Sequence, residues 1–280
     1  MTIPVESLIK SDDLLTSRID VVLFEATTGC NLRCTYCAVS APSYRASNFD
    51  FTGIDDIVQS MASANVRTVQ LSGHGETTVL PGWDRYCQLF FDRGIALCIT
   101  SNFSKIFVDS EIDVLARMDW ITVSIDTIDR ELLMAIRRKV DLRTIIYNLQ
   151  SIRLRALRKY HRLPIFNWQC TLSDQVVWGL PDWVQMGLLN GVTKFTLGNL
   201  VEQSEVAQTI STEGLSVPRH IARLDRNDLI KACALIREAS LIARDGGGKL
   251  NLQPGIAEGV FVRLASFGIN APSDLLGEVQ

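Results

Sequence analysis

From residue 18 to residue 253, short apolar runs rich in β-branched residues alternate with longer stretches of helical periodicity. That alternation constrains the chain more than any other feature. It is the pattern of a parallel sheet with helical crossovers. The strands expected are Ser17–Glu25, Arg67–Leu71, Ile95–Thr100, Trp120–Asp126, Pro164–Leu172, Val192–Leu200 and a short Lys249–Gln253. The helices expected are Gly53–Val66, Pro81–Gly94 with Pro81 in its first turn, Val108–Met118 capped by Asp109 or Ser110, a long Arg130–Leu157, Pro181–Leu189 and Asn227–Ala243. The last of these stops at Gly246-Gly247-Gly248. This makes six or seven strand–helix units, fewer than the eight of a closed barrel. At 280 residues, 47% hydrophobic, the chain can bury one large core.

The ends of the strands then decide where chemistry is sought, because parallel α/β proteins place it at the carboxyl edge of the sheet. The first strand runs into Cys30-Asn31-Leu32-Arg33-Cys34-Thr35-Tyr36-Cys37, three thiols within eight residues. Thiolates are soft ligands suited to iron–sulfur clusters, zinc or Cu(I). A four-iron cluster takes four cysteines, so three would leave one iron open. An open position is what a catalytic metal site needs. A zinc site would want a fourth ligand at finger-like spacing, and the chain has neither a second C-x-x-C nor H-x-x-x-H. Seven cysteines, an odd number with three crowded together, speak for a reducing compartment and metal ligation over disulfides.

The C-x-x-x-C-x-x-C spacing, with an aromatic just before the last cysteine, resembles the radical S-adenosylmethionine (radical SAM) superfamily. The resemblance implies an open, partial (β/α)6-type barrel. It implies a [4Fe–4S] cluster on Cys30, Cys34 and Cys37, whose open iron binds the amino and carboxylate groups of SAM. It also implies reductive cleavage of SAM to a 5′-deoxyadenosyl radical, which abstracts a hydrogen atom from substrate. Tyr36 would then lie against the adenine. Ser72-Gly73-His74-Gly75-Glu76 is similar to the family's glycine-rich motif. Gly73, Gly75 and Glu76 would hold the methionine ammonium, although Thr77 stands where the family has proline. Thr100-Ser101-Asn102 is similar to the family's T-N-G, with Asn102 near SAM or substrate and Phe103 in place of the glycine. Ser124-Ile125-Asp126 resembles the family's ribose-contacting strand, with Ser124 and Asp126 on one face. Ile136-Arg137-Arg138 resembles its I-R-R segment. Leu197 and Gly198 would lie beside adenine.

Each residue also has a plainer reading. Tyr36 can be a packed loop aromatic, Ser101 and Asn102 turn formers, Asp126 a helix cap, and His74 an exposed loop residue. On the fifth strand Gln169 and Thr171 share one face and Cys170 the other, and either face could point inward. Cys170, near a strand end, is a candidate hydrogen-atom donor. Cys87, Cys98 and Cys233 read as small buried hydrophobes.

Residues 1–17 read as an N-terminal extension, 18–255 as the barrel and 256–280 as a tail packed against it, with no further cysteine cluster. The polar stretch 201–226 reads as a substrate lid or a mobile loop. A net charge of −3 gives no global attraction to nucleic acid or anionic membrane. The basic residues between Arg130 and Arg162 read as a solvated helix face, so no nucleic acid partner is expected. No run spans a bilayer, and the first residues lack a secretion signal, which gives a cytoplasmic location. The expected partners are a small-molecule or short-peptide substrate and a reductant such as flavodoxin or ferredoxin. Two other functions stay open: an activase placing a glycyl radical on a partner protein, and an iron–sulfur or zinc protein without catalysis.

Overall fold

The computed structural model describes residues 19–269. Seven parallel strands follow one another in space in chain order: β1 (Val21–Phe24), β2 (Thr68–Leu71), β3 (Ala96–Ser101), β4 (Trp120–Ser124), β5 (Ile165–Leu172), β6 (Lys194–Asn199) and β7 (Lys249–Leu252). Strand order never reverses, so every crossover lies on the same side and the sheet curls as a barrel does. Among the described residues β1 and β7 do not pair, and the barrel is open between them. The expected α/β partial barrel is found, with a seventh strand.

Side-chain alternation assigns the two faces. Val69 and Leu71, Leu97 and Ile99, Ile121 and Val123, Phe166 and Trp168, and Phe195 and Leu197 are all buried toward the helices. Trp183 of the helix Leu180–Leu189 sets this layer: its ring lies 5.8 Å from Trp168 and 5.4 Å from Phe195. Gly187 lets that helix close in, since a Cβ there would stand 2.4 Å from the Phe195 ring. The inner face is polar, with Gln70, Thr100, Thr122, Asn167 and Thr196 bonded across neighbouring strands.

The helices are α1 (Ile54–Ser63), α2 (Trp83–Asp92), α3 (Asp109–Arg117), α4 (Arg130–Arg137), α5 (Leu142–Arg155), α6 (Leu180–Leu189), α7 (Ser204–Thr212), α8 (Arg226–Asp245) and α9 (Pro254–Ser266). Several differ from expectation. The single helix Arg130–Leu157 is two, because Arg138 (φ 55°) and Lys139 (φ 78°) turn left-handed and Asp141 caps a new start on the Arg143 N–H. Gly82, with φ 76°, rather than Pro81, stands at the start of α2. At α3, Glu111 reaches back to the Val108 N–H, so neither Asp109 nor Ser110 is the cap. β1 covers Val21–Phe24 of the expected Ser17–Glu25, whose residues 17 and 18 lie outside the described residues. The stretch 201–226 is no simple loop: it carries α7 and a 3-10 turn, Ile221–Arg223.

Helix α9 buries Ile256, Ala257, Val260 and Leu264, so the anticipated boundary at 255 falls within a helix. The expected extension 1–17 and the end of the tail lie outside the described residues. No described helix is long and apolar enough to cross a membrane.

Candidate active site at the mouth of the barrel

The loops leaving β1, β2, β3 and β4 meet at the carboxyl edge and interlock through buried polar contacts. The Glu76 N–H donates to the Gly29 carbonyl at 2.8 Å, tying the G-x-G-E turn to the start of the cysteine loop. Gly75 is required there: a Cβ would meet the Thr27 carbonyl oxygen at 2.1 Å and the Gly29 carbonyl oxygen at 2.6 Å. At Gly73 a Cβ would meet the Glu25 carboxylate instead, the end of a flexible chain. That carboxylate accepts the His74 N–H, and the exposed His74 ring lies 3.5 Å from it.

Glu76 is buried. Its Oε1 accepts from the Thr78 N–H (3.1 Å), Thr78 Oγ1 (2.7 Å) and Ser101 Oγ (2.9 Å), and its Oε2 from the Asn102 N–H (2.7 Å). A carboxylate has about four acceptor positions. Glu76 therefore braces β2 against β3, and the backbone of Gly73 and Gly75 offers the freer contacts at this turn. Asn102, carried beyond β3, turns its Nδ2 to Asn31 Oδ1 (3.0 Å) and to Cys30 Sγ (3.8 Å). The Leu32 N–H also points at Cys30 Sγ, at 3.4 Å. Such donors to sulfur are among the factors that tune an iron–sulfur cluster.

Cys30 and Cys37 are half-buried and Cys34 is buried. Burial pushes the Cys34 thiol up to about 12, against the opposing pull of Arg137, and raises Cys30 as well. Burial thus favours the protonated form of Cys30 and Cys34. A bound metal centre supplies the positive charge that makes them thiolates. Three thiols from one loop, with the Leu32 N–H and the Asn102 amide directed at Cys30 Sγ, make an all-sulfur donor set of the kind iron–sulfur clusters take. In a four-iron cluster each cysteine binds its own iron, so this donor set fits a cluster.

The loop is seated on the end of α4. Thr35 N–H donates to the Ile136 carbonyl at 2.8 Å, and Cys34 Sγ lies 3.8 Å from the Arg137 carbonyl. Beneath it runs a buried ion pair: Arg137 Nε and Nη2 to Asp126 Oδ2 and Oδ1, at 2.7 and 3.0 Å. Asp126 also accepts Tyr36 OH at 2.8 Å and the Thr171 N–H at 2.8 Å. The structure corrects the expected ribose contact by Asp126: its side chain is 0% exposed and its two oxygens are taken by Arg137, Tyr36 and the Thr171 N–H. Asp129, not Asp126, caps α4. Tyr36 has its hydroxyl buried, which raises its pKa well above the usual phenol range, while its ring stays partly open.

The ring and the buried Thr35 border a cavity of about 240 Å³, walled opposite by Leu200–Ala207 and Val217–Arg219. Thr35 Oγ1 has no hydrogen-bond partner among the described residues.

Two further expectations fail on strand orientation. Cys170 and Leu197 are fully buried on the helix-facing side of β5 and β6. Neither the hydrogen-donor role of Cys170 nor the adenine contact of Leu197 survives, since the sheet itself stands between them and the interior. Gly198 and Ser124 do face inward, and Cys98, read as a structural residue, is half-buried on that same face. Sequence reasoning missed Ser101 as a brace on Glu76 and Arg137 as the partner of Asp126. The I-R-R resemblance was the one signal pointing at Arg137.

The family model for the radical SAM superfamily matches residues 24–167. The GTP 3′,8-cyclase of Chlorobaculum tepidum is 30% identical over 125 residues, 43% of this chain and 37% of that protein. An S-adenosylmethionine-dependent nucleotide dehydratase of a Thermoplasmatales archaeon is 33% identical over 103 residues, 36% and 35% of the two chains. The matched region is thus under half the length of these curated relatives. Among solved structures, Streptococcus suis SuiB bound to S-adenosylmethionine superposes with a TM-score of 0.63 at 16% identity, covering 86% of this chain and 52% of that one. Native anSMEcpe with bound AdoMet gives 0.61 at 13%, covering 91% and 68%. The thiol loop, the partial barrel and the family match agree, and this chain belongs to the radical SAM superfamily of [4Fe–4S] and SAM-dependent enzymes.

Proposed function

We propose that this chain abstracts a hydrogen atom from an unreactive C–H bond of a small-molecule or short-peptide substrate. When bound, the cluster and SAM supply the reductive cleavage that yields a 5′-deoxyadenosyl radical. Cys30, Cys34 and Cys37 hold three irons, and Asn102 orients the Cys30 sulfur. The backbone at Gly73 and Gly75 receives the ammonium of the methionine part. Ser124 hydrogen-bonds the ribose, and Tyr36 and Gly198 flank the base. Leu200–Ala207 closes the cavity over the nucleoside and keeps water from the reacting carbon. A flavodoxin or ferredoxin delivers the electron.

The observation that carries this reading is the seating of three thiols on one braced loop beside a cavity floored by Thr35 and Tyr36. The test is anaerobic reconstitution, iron analysis and incubation with SAM and dithionite. Formation of 5′-deoxyadenosine is expected. Its absence from protein that carries a full cluster would reject the enzyme reading, and deuterium passing from labelled substrates into 5′-deoxyadenosine would identify what is attacked.

A further inference from the structure

Much of the basic stretch from Arg130 to Arg162 is neutralised within the chain: Arg138, Arg143, Arg155, Lys159 and Arg162 each pair with a carboxylate. Lys139 does not. It is exposed, stands in the left-handed turn between α4 and α5, and has no side-chain partner among the described residues. Two residues before it, the Arg137 carbonyl lies 3.8 Å from Cys34 Sγ. A second exposed cation, Arg33, sits on the cysteine loop itself. Its Nη1 donates to the Cys30 and Leu32 carbonyls, each at 2.9 Å, and it has no carboxylate partner among the described residues. The two cations therefore mark two short ways from the surface to the sulfurs, one through the main chain of Cys30 and one through that of Arg137.

An apolar segment is fastened beside them. Asn31 Nδ2 donates to Ser104 Oγ at 2.8 Å. From α5, Asn148 Nδ2 donates to the Phe103 and Lys105 carbonyls, and its Oδ1 accepts the Phe107 N–H. This holds residues 103–107 against the cysteine loop and leaves Ile106 65% exposed. The neighbouring Lys105 is neutralised by Glu111 at 2.6 Å. The surface around the thiols thus combines an exposed apolar side chain with two uncompensated positive charges.

A net charge of −3 cannot draw in an acidic protein, so any attraction has to be local. Cations at the rim of a contact steer such a partner, and electron-transfer contacts are small and transient. Resting on the radical SAM reading above, we propose that Arg33, Lys139 and Ile106 form the docking surface for an acidic flavodoxin. Ile106 meets the dimethylbenzene edge of the flavin, a group that an iron–sulfur carrier does not present. One electron leaves the anionic reduced flavin and enters the cluster, and no bond or proton crosses the interface.

The test is titration calorimetry of oxidised flavodoxin into reconstituted holoprotein at low and at physiological ionic strength. Arg33→Glu and Lys139→Glu should each weaken binding about three- to tenfold at low salt, with a smaller loss where salt screens the charges. Ile106→Ser should weaken it at both ionic strengths alike. Arg244→Glu, at the carboxyl end of α8 and so at the opposite rim of the barrel, should bind as the parent does. Iron is measured in every variant; if Arg33→Glu loses iron, Lys139→Glu decides, since its side chain holds nothing else in the fold. Binding that the charge reversals do not weaken overturns the proposal, as does tighter binding of a ferredoxin at this surface. The variants are also assayed for 5′-deoxyadenosine, and the ratio of flavodoxin-driven to dithionite-driven product should fall. Absence of product with dithionite counts against the enzyme reading alone, because the binding comparison stands without it. Product with dithionite, together with flavodoxin binding that ignores these residues, counts against the docking surface alone.

Discussion

The cavity at the barrel mouth has two sides built in different ways. The floor, made of the cysteine loop, the G-x-G-E turn and the end of α4, is joined by buried polar contacts. Its central pair, Arg137 and Asp126, is 7% and 0% exposed. The roof, residues 200–223, buries Leu200, Val206, Ile210 and Ile221, but its polar links lie at the surface. Ser43 donates its N–H and Oγ to Glu205 at 3.1 and 2.6 Å, Arg138 pairs with Glu213 at 2.9 Å, and Arg223 with Glu202 at 2.6 Å. Exposed pairs of this kind contribute roughly 0–1 kcal/mol each, whereas breaking a buried pair costs several. The side that holds the thiols is therefore the fixed one. The side facing it, held by exposed links and a few apolar side chains, is the more easily loosened of the two.

The comparison breaks first at the thiols. Cys34→Ser should abolish cluster assembly, read as loss of iron and of 5′-deoxyadenosine, whereas Ser43→Ala, at the roof, should leave the iron content unchanged. A Ser43→Ala protein that cannot retain iron would show that the roof belongs to the metal site. Next comes Arg137→Met. It strands a buried carboxylate and should cost about 3–5 kcal/mol in denaturant unfolding. Pairing it with Asp126→Asn, which removes the charge, keeps an oxygen for the Thr171 N–H and turns an amide N–H to the Tyr36 hydroxyl, should recover much of that. A cost under about 1 kcal/mol would place the pair with the surface bridges.

A smaller effect separates the two glycines of the turn. Gly75→Ala drives a methyl into the backbone at Thr27 and Gly29 and should destabilise by about 1–3 kcal/mol. Gly73→Ala meets only the Glu25 carboxylate, which can rotate away, and should cost less. Equal losses in thermal unfolding would mean that the turn, rather than its approach to the cysteine loop, is what the glycines serve.

Much of this was legible in the chain because strand order followed sequence order and the thiols sat on one short loop. What was hidden had physical reasons. The face of β5 was left open because parallel strands usually bury apolar side chains on both sides. Here the interior is polar, so the alternation in Phe166-Asn167-Trp168-Gln169-Cys170-Thr171 already marked Cys170 as helix-facing. The same holds for Leu197, which alternates with Thr196 and Gly198. The break between α4 and α5 has neither glycine nor proline; Arg138 and Lys139 take positive φ, and Asp141 is the only local sign. Asp126 looked like a ribose ligand because its partner, Arg137, lies across a loop and a helix.

Acid sharpens the comparison most gently. The Ser43 hydrogen bonds hold Glu205 below the usual carboxylate range, and the hydrogen bonds from Arg223 do the same for Glu202. A carboxylate whose pKa is depressed by folding stabilises the folded contact above its unfolded pKa. That contribution is lost as pH falls through the folded value. Lowering pH from neutrality through the glutamate range should therefore loosen Ser204–Thr212 and Ile221–Arg223 before the floor. Hydrogen exchange, corrected for the intrinsic effect of pH, should show rising exchange in these two segments. The Thr35 N–H on Ile136 and the Glu76 N–H on Gly29 should keep their protection over the same interval, since neither bond involves a group that titrates there. Loss of protection in floor and roof together would mean that one cooperative unit carries both, and the division drawn between them would fall.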